Sequence, residues 1–413
     1  MHLGKMFNNY SGMPKDPKYL IYASILPAVA YGLIFTDLSY FLTIIQGLPA
    51  EFTGLVISAM GISTFVASIF LGIAADVYGR KKMLVVGNLL ASAMFAVFTL
   101  TTDHMLLLGA AVGEGIAEAA VTASSSALLA DKVENEKRTS LFSLYGFVQN
   151  IAFALGSFAV TFVIFFEFIG LSDKSSHILL YLLFAILSAA STLIMLKVSE
   201  SAKLKKLNAG GTSFLPRKSK AILIKYVLTG AILAFGAGMV VPLMTLWFNL
   251  QYGISDKISA TILAISSILV GFATLVAPLI AKKFGLIKAI VITQLTSTLF
   301  MFLVPFSPNY GLAGFVYGIR ALLMNMASPL SQSMIMGLVA EDERGAVSGI
   351  SGALWRLPNA LSTFVGAWLM DIGLLAEPFL IASLLYVISI ALFWYYFRRV
   401  RMPEETASSI EKA

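Results

Sequence analysis

The chain has no cysteine among its 413 residues, which excludes disulfide frameworks, thiolate metal sites and thiol redox chemistry. Histidine is nearly as scarce. His2, His104 and His177 are the whole complement, and each falls in a tail or beside a loop. Charge is sparse as well: Asp, Glu, Lys and Arg make up 12% of the chain against roughly 25% in a soluble domain. Hydrophobic residues reach 58%. The formal net charge of +7 is therefore no nucleic-acid footprint, because nearly all Lys and Arg lie in short loops on one side of the apolar runs. No nucleophile, metal-ligand or phosphate-loop constellation appears, so no enzyme activity, no metal and no cofactor is expected. Residues Met1 to Lys18 hold no apolar core and no small-residue cleavage site, and they read as a cytoplasmic tail, not a signal peptide.

Apolar runs are what the chain has in abundance. About 20 such residues cross the hydrocarbon core of a bilayer. Twelve runs qualify: 19–45, 52–75, 82–101, 105–130, 139–166, 178–198, 221–249, 258–281, 287–306, 310–338, 345–370 and 378–398. The fold class is all-α integral membrane, with twelve transmembrane helices. The loops alternate in charge. One set carries Arg80-Lys81-Lys82, Lys132 with Lys137 and Arg138, the Lys203 to Lys220 cluster, Lys282-Lys283, Arg344 and Arg398-Arg399. The other set carries Glu51, Asp103, Asp173 and Glu377, with only Lys174 and Lys257 as bases. Positive loop charge is retained inside, so both termini are expected in the cytoplasm and the protein in the cell membrane, multi-pass and surrounded by lipid.

The longest polar interval, Glu200–Lys220, joins spans 6 and 7. It gives the organisation 1–18 cytoplasmic tail, 19–198 first six-helix half, 199–220 cytoplasmic linker, 221–398 second six-helix half and 399–413 cytoplasmic tail.

Between spans 2 and 3 the chain reads G-I-A-A-D-V-Y-G-R-K-K over residues 72–82. Two glycines, an acid and a basic triplet make a tight charged turn where the chain leaves the bilayer and re-enters on the same side. This stretch resembles the signature loop of the major facilitator superfamily, G-x-L-A-D-R-x-G-R-[KR]-[KR]. Gly72, Asp76, Gly79, Arg80 and Lys81 match; Ile73 replaces the usual Leu, and Val77 stands where a basic residue is common. The resemblance implies an alternating-access carrier in which this loop gates the cytoplasmic side. It also implies a charge network of Asp131, Glu136 and Arg138 with Asp76, and Arg344 joins the gating candidates as the second-half equivalent of Arg138.

The halves repeat in one ungapped frame of 206 residues. Gly79 corresponds to Gly285, Arg138 to Arg344 and Gly146 to Gly352. Such repeats mark transporters whose pseudo-symmetric halves are related by an axis along the membrane normal. The second copy of the loop is worn: Lys282 stands at the place of Asp76, and Leu286-Ile287 replace Arg80-Lys81.

Ionisable side chains inside a span are costly and point to function. They are Asp37 in span 1, Glu114 and Glu118 in span 4, Arg320 in span 10 and Arg356 in span 11. With no histidine among them, a proton relay has to use carboxylates. Glu114 and Glu118 are four apart and share a helix face. Two like charges so placed in a poor dielectric cannot both stay ionised cheaply, as proton coupling requires. Glu114, Glu118 and Asp37 are the proton-coupling candidates. In the superfamily, spans 1, 4, 7 and 10 line the cavity. The resemblance therefore puts Asp37, Glu114, Glu118 and Arg320 around one aqueous pathway, and Arg356, Asn150 and Asn325 are further candidates for the substrate cavity. Arg320 lies 206 residues after Glu114, which puts an acid and a base at equivalent positions, facing across the axis. The competing reading is that these buried charges only specify helix packing. Gln149, Asn150, Gln294, Asn325 and Gln332 suit helix–helix hydrogen bonds or cavity lining. Trp247, Phe248, Trp394, Tyr395 and Tyr396 read as an interfacial belt.

Proton antiporters of the superfamily usually carry R-x-x-Q-G in span 4. Here Ala111 occupies the arginine slot and Glu114 the glutamine slot. Their span 5 run, G-x-x-x-G-P-x-x-G-G, has lost its Gly-Pro in residues 146–156. The leading expectation is a monomeric, proton-coupled secondary transporter for a small organic solute, with multidrug-type efflux of cations first. A symporter or uniporter for an anionic metabolite or lipid headgroup, held by Arg320 and Arg356, is the alternative. A non-transporting receptor on the same fold is the alternative from another class, and it predicts binding without flux.

Overall fold

The apolar runs become helices, and they end on residues that cap or break them. A computed structural model describes residues 15–132, 135–200, 218–339 and 344–400. Among these, twelve long helical segments follow in order: α1 (Lys15–Tyr40), α2 (Ala50–Tyr78), α3 (Arg80–Leu100), α4 (His104–Asp131), α5 (Asn135–Ala159), α6 (Asp173–Met195), α7 (Lys220–Gly238), α8 (Asp256–Phe284), α9 (Leu286–Leu303), α10 (Tyr310–Leu338), α11 (Arg344–Asp371) and α12 (Glu377–Phe397). Nine described helical segments are long and apolar enough to cross a membrane; α8, α10 and α11 are the ones outside that set. A π-helical turn, Phe41–Ile45, continues α1. Past α7, Pro242 sits in a 3-10 turn, Val241–Leu243, before helix resumes over Met244–Tyr252. Proline lacks the N–H that an uninterrupted helix would need there. Pro329 and Pro358 lie inside α10 and α11.

The chain forms two compact units, residues 1–209 with 255–264, and residues 210–254 with 265–413. Ser255–Ala264 group with the first unit, although the sequence assigns them to the second half. The reason is local: Asp256 and Lys257 bond to side chains of the first unit, as described below.

Both units use one packing plan. In the first, α1 packs on α5 and α6, and α3 on α4 and α6; in the second, α7 packs on α11 and α12, and α9 on α10 and α12. The 206-residue frame extends to the helix ends. Residues 50 and 256, 80 and 286, and 104 and 310 open equivalent helices. Asp103 caps α4 by accepting from the Leu106 N–H, and Asn309 caps α10 by accepting from the Leu312 N–H. Gly79 has φ +106° and Gly285 φ +80°, so each one-residue turn needs a backbone conformation that costs glycine little.

Candidate functional site

Glycines position the acids of α4. A methyl group on Gly113 would meet Met94 Sδ of α3 at 2.6 Å, and one on Gly115 would meet Ser63 Oγ of α2 at 1.9 Å and the Met60 carbonyl at 2.3 Å. Small residues let membrane helices approach this closely. With α2 and α3 pressed against its flanks, α4 turns Glu114 and Glu118 into the remaining space. That space is a cavity of about 360 Å³ in the first unit, lined by both glutamates and by Tyr31, Phe95, Tyr145, Gln149, Asn150 and Phe153 among others. Glu114 is 2% exposed, and its Oε2 has no hydrogen-bond partner among the described residues. Glu118 is half-buried and accepts from Thr64 Oγ1 at 3.1 Å. A buried carboxylate with an unsatisfied oxygen gains from binding a proton or a cationic group.

The second unit has its own cavity of about 510 Å³, lined by Gln294, Asn325, Gln332, Ser351, Trp355 and Ser389 among others, with no Asp, Glu, Lys, Arg or His among the described residues of its lining. All five intramembrane amides singled out in the sequence thus line one cavity or the other. Arg320 is not in that lining. It is 4% exposed, donates from Nη2 to the Tyr386 hydroxyl, and lies 5.8 and 5.6 Å from the ring centres of Tyr317 and Tyr386. Arg356 is half-buried and also lies outside the lining.

Asp37 has a different setting from the glutamates. It is fully buried outside the lining of the first cavity, and its Oδ2 accepts from the Tyr181 hydroxyl at 3.0 Å. Beside it, against the expectation of a histidine-free interior, lies His177, fully buried in the second turn of α6. His177 Nε2 stands 2.7 Å from Asp256 Oδ2. Ligand-type atoms of Asp37, His177 and Asp256 lie within 4.8 Å of one another. A nitrogen and an oxygen that share a metal at about 2.1 Å each stand near 3 Å apart or more. The 2.7 Å contact is a hydrogen bond instead. Tyr181 and Asp256 went unnoticed in the sequence, because their contacts with Asp37 and His177 join residues 144 and 79 positions apart and no local pattern announces them.

The signature turn is held by polar contacts at the ends of α1, α3, α4 and α6. Arg80 donates to Asp131 and reaches the Ala127 carbonyl. The Lys81 N–H donates to Glu200, and Lys81 Nζ donates to the Leu196 carbonyl at 2.7 Å. Lys132 pairs with Asp16 at 3.0 Å. Gly72 and Asp76 lie on α2, Arg138 on α5 and Arg344 on α11, and the side chains of Asp76, Arg138 and Arg344 are outside the described residues.

One aromatic expectation is corrected. Trp247 and Phe248 are fully buried, not interfacial. The Trp247 indole donates to the Leu375 carbonyl at 2.9 Å and packs on Phe379. Tyr395, by contrast, is 68% exposed.

A sequence model described as Major Facilitator Superfamily matches residues 20–363 and, again, 227–413. The chain belongs to the major facilitator superfamily. Its relatives there include Multidrug resistance protein 2 of Bacillus subtilis (strain 168), 23% identical over 368 residues, which are 87% of this chain and 90% of that protein. A mutant form of the nucleoside transporter NupG superposes with TM-score 0.78 at 14% identity, over 92% of this chain and 99% of that one. A bacterial homolog of the human lysosomal transporter Spinster superposes with TM-score 0.74 at 15% identity, over 92% and 96%. These superpositions establish the superfamily fold. The protein is a multi-pass membrane protein of a secondary-transporter superfamily.

Proposed function

We propose that this superfamily member moves a small organic solute across the cell membrane, coupled to protons, with efflux of cationic lipophiles as its working direction and both termini in the cytoplasm. The observation that carries the reading is the first-unit cavity, where two carboxylates four residues apart stand among Tyr31, Phe95, Tyr145 and Phe153. An apolar, aromatic wall with a few convergent polar groups is how small-molecule sites are commonly built. The two acids offer a cation a partner and a proton a binding place, so one ligand displaces the other. That competition is what antiport needs. The relative named for multidrug resistance supports the same substrate class. Arg320, which the anion reading requires, has its guanidinium engaged by Tyr386 and Tyr317. The reading is tested by flux of a panel of cationic, neutral and anionic solutes in proteoliposomes, with and without an imposed pH gradient. Gradient-driven movement of cations is expected; movement of anions alone, or binding without flux, overturns it.

A further inference from the structure

The cluster of Asp37, His177 and Asp256 lies outside the residues that line the cavity, and its geometry sets a proton count. His177 Nδ1 faces the Asp173 carbonyl at 2.8 Å and Asp173 Oδ1 at 3.3 Å, both acceptors, so Nδ1 carries a hydrogen. His177 Nε2 faces Asp256 Oδ2 at 2.7 Å. A carboxylate oxygen and an unprotonated ring nitrogen would repel at that distance, so a second hydrogen lies between them. Asp37 and Asp256 are 0% and 1% exposed, and Oδ1 of each has no hydrogen-bond partner among the described residues. Phe41 covers the group, stacked on Tyr181 at 4.9 Å and 6.0 Å from the His177 ring. Two carboxylates and one imidazolium leave one negative charge in a dry place, and burying unneutralised charge is expensive.

The neighbours do not remove it. From α1 the group is faced by Tyr40 as well as Asp37, from α6 by Asp173 and Tyr181, from the segment after α5 by Glu167, and from α8 by Lys257. Lys257 is itself held by Glu167 at 2.5 Å and Asp173 at 3.3 Å.

We propose that Asp37, His177 and Asp256 form a second proton-binding site, separate from the Glu114–Glu118 cavity, whose bridging proton ties the start of α8 to α6. Removing that proton leaves nitrogen and oxygen lone pairs facing each other, and the contact opens. The site goes beyond the cavity reading, and its proton binding is measured without any transported solute.

The experiment uses the whole chain in nanodiscs, labelled with 15N-histidine, which gives signals from three residues. The His177 signal is assigned by its loss in His177→Gln. Protons on both ring nitrogens are expected. The His177 titration midpoint should move by about one pH unit or more, a tenfold change in proton affinity, in Asp256→Asn and in Asp37→Asn, and stay in place in Glu114→Gln. If Asp256→Asn does not fold, the isosteric Asp37→Asn decides. A ring protonated on one nitrogen throughout, or a midpoint that neither aspartate substitution moves, overturns the proposal. If the midpoint moves while the protein shows no gradient-driven flux, the proton site stands and the cavity reading fails.

Discussion

A methyl group on Gly32 would stand 2.2 Å from the carbonyl oxygen of Phe153, so α1 and α5 are in backbone contact at that point. The same relation recurs 206 residues later, where a methyl group on Gly238 would stand 2.0 Å from the Asn359 carbonyl. Backbone cannot move aside as a side-chain tip can. Gly32→Ala and Gly238→Ala are each expected to cost about 1–3 kcal/mol or more, seen as a lower thermal midpoint in detergent. Gly109→Ala, with nothing within 4 Å, should leave the midpoint where it is.

Proton coupling is expected to reside in α4. Glu114→Gln and Glu118→Gln fix the neutral form of each acid without changing its shape. At least one should abolish gradient-driven flux and spare solute exchange at equal pH. If both variants still concentrate solute against its gradient, the cavity acids do not couple.

The turn at Gly79 should govern rate more than stability. Arg80 and Asp131 are partly exposed, at 19% and 35%, and pairs of that kind stabilise by less than about 1 kcal/mol. Arg80→Gln is therefore expected to leave the thermal midpoint nearly unchanged. Asp76→Asn and Arg80→Gln should both slow flux while ligand binding persists. Normal flux by well-expressed variants removes the gating role.

Arg320 separates cation from anion transport. Arg320→Gln should retain or tighten the binding of cationic solutes. Loss of a charge-assisted contact would instead cost an anionic solute about ten- to a hundredfold in affinity. Isothermal titration with one solute of each sign reads the difference. The charge swap Glu114→Arg with Arg320→Glu tests the symmetry expectation, since recovery beyond either single change requires that the two side chains meet.

Much of this architecture was legible because it is periodic. Apolar length gave the helices, and the frame from Gly79 to Gly285 holds down to the caps at Asp103 and Asn309. Glu114 and Glu118 were legible too, since charge in an apolar run stands out and four-residue spacing fixes a shared face. What escaped depends on contacts between distant segments. His177 looked like a loop-edge histidine because it is only four residues into α6; in the fold it meets Asp256, 79 residues on, and Phe41. Trp247 sits near a helix end, where a belt is the usual home for tryptophan, yet the Leu375 carbonyl and Phe379 enclose it. Neither enclosure has a local sequence signal.

Gly79 is the whole connection between Tyr78 and Arg80, just as Gly285 is between Phe284 and Leu286. A single residue has two soft torsions, so each turn is a hinge pin with almost no slack. A tilt of α2 is therefore expected to drag α3 with it, the pair acting as one lever. Extra residues spliced in at position 79 would loosen that joint, and the lever would stop transmitting force while both of its arms stayed folded.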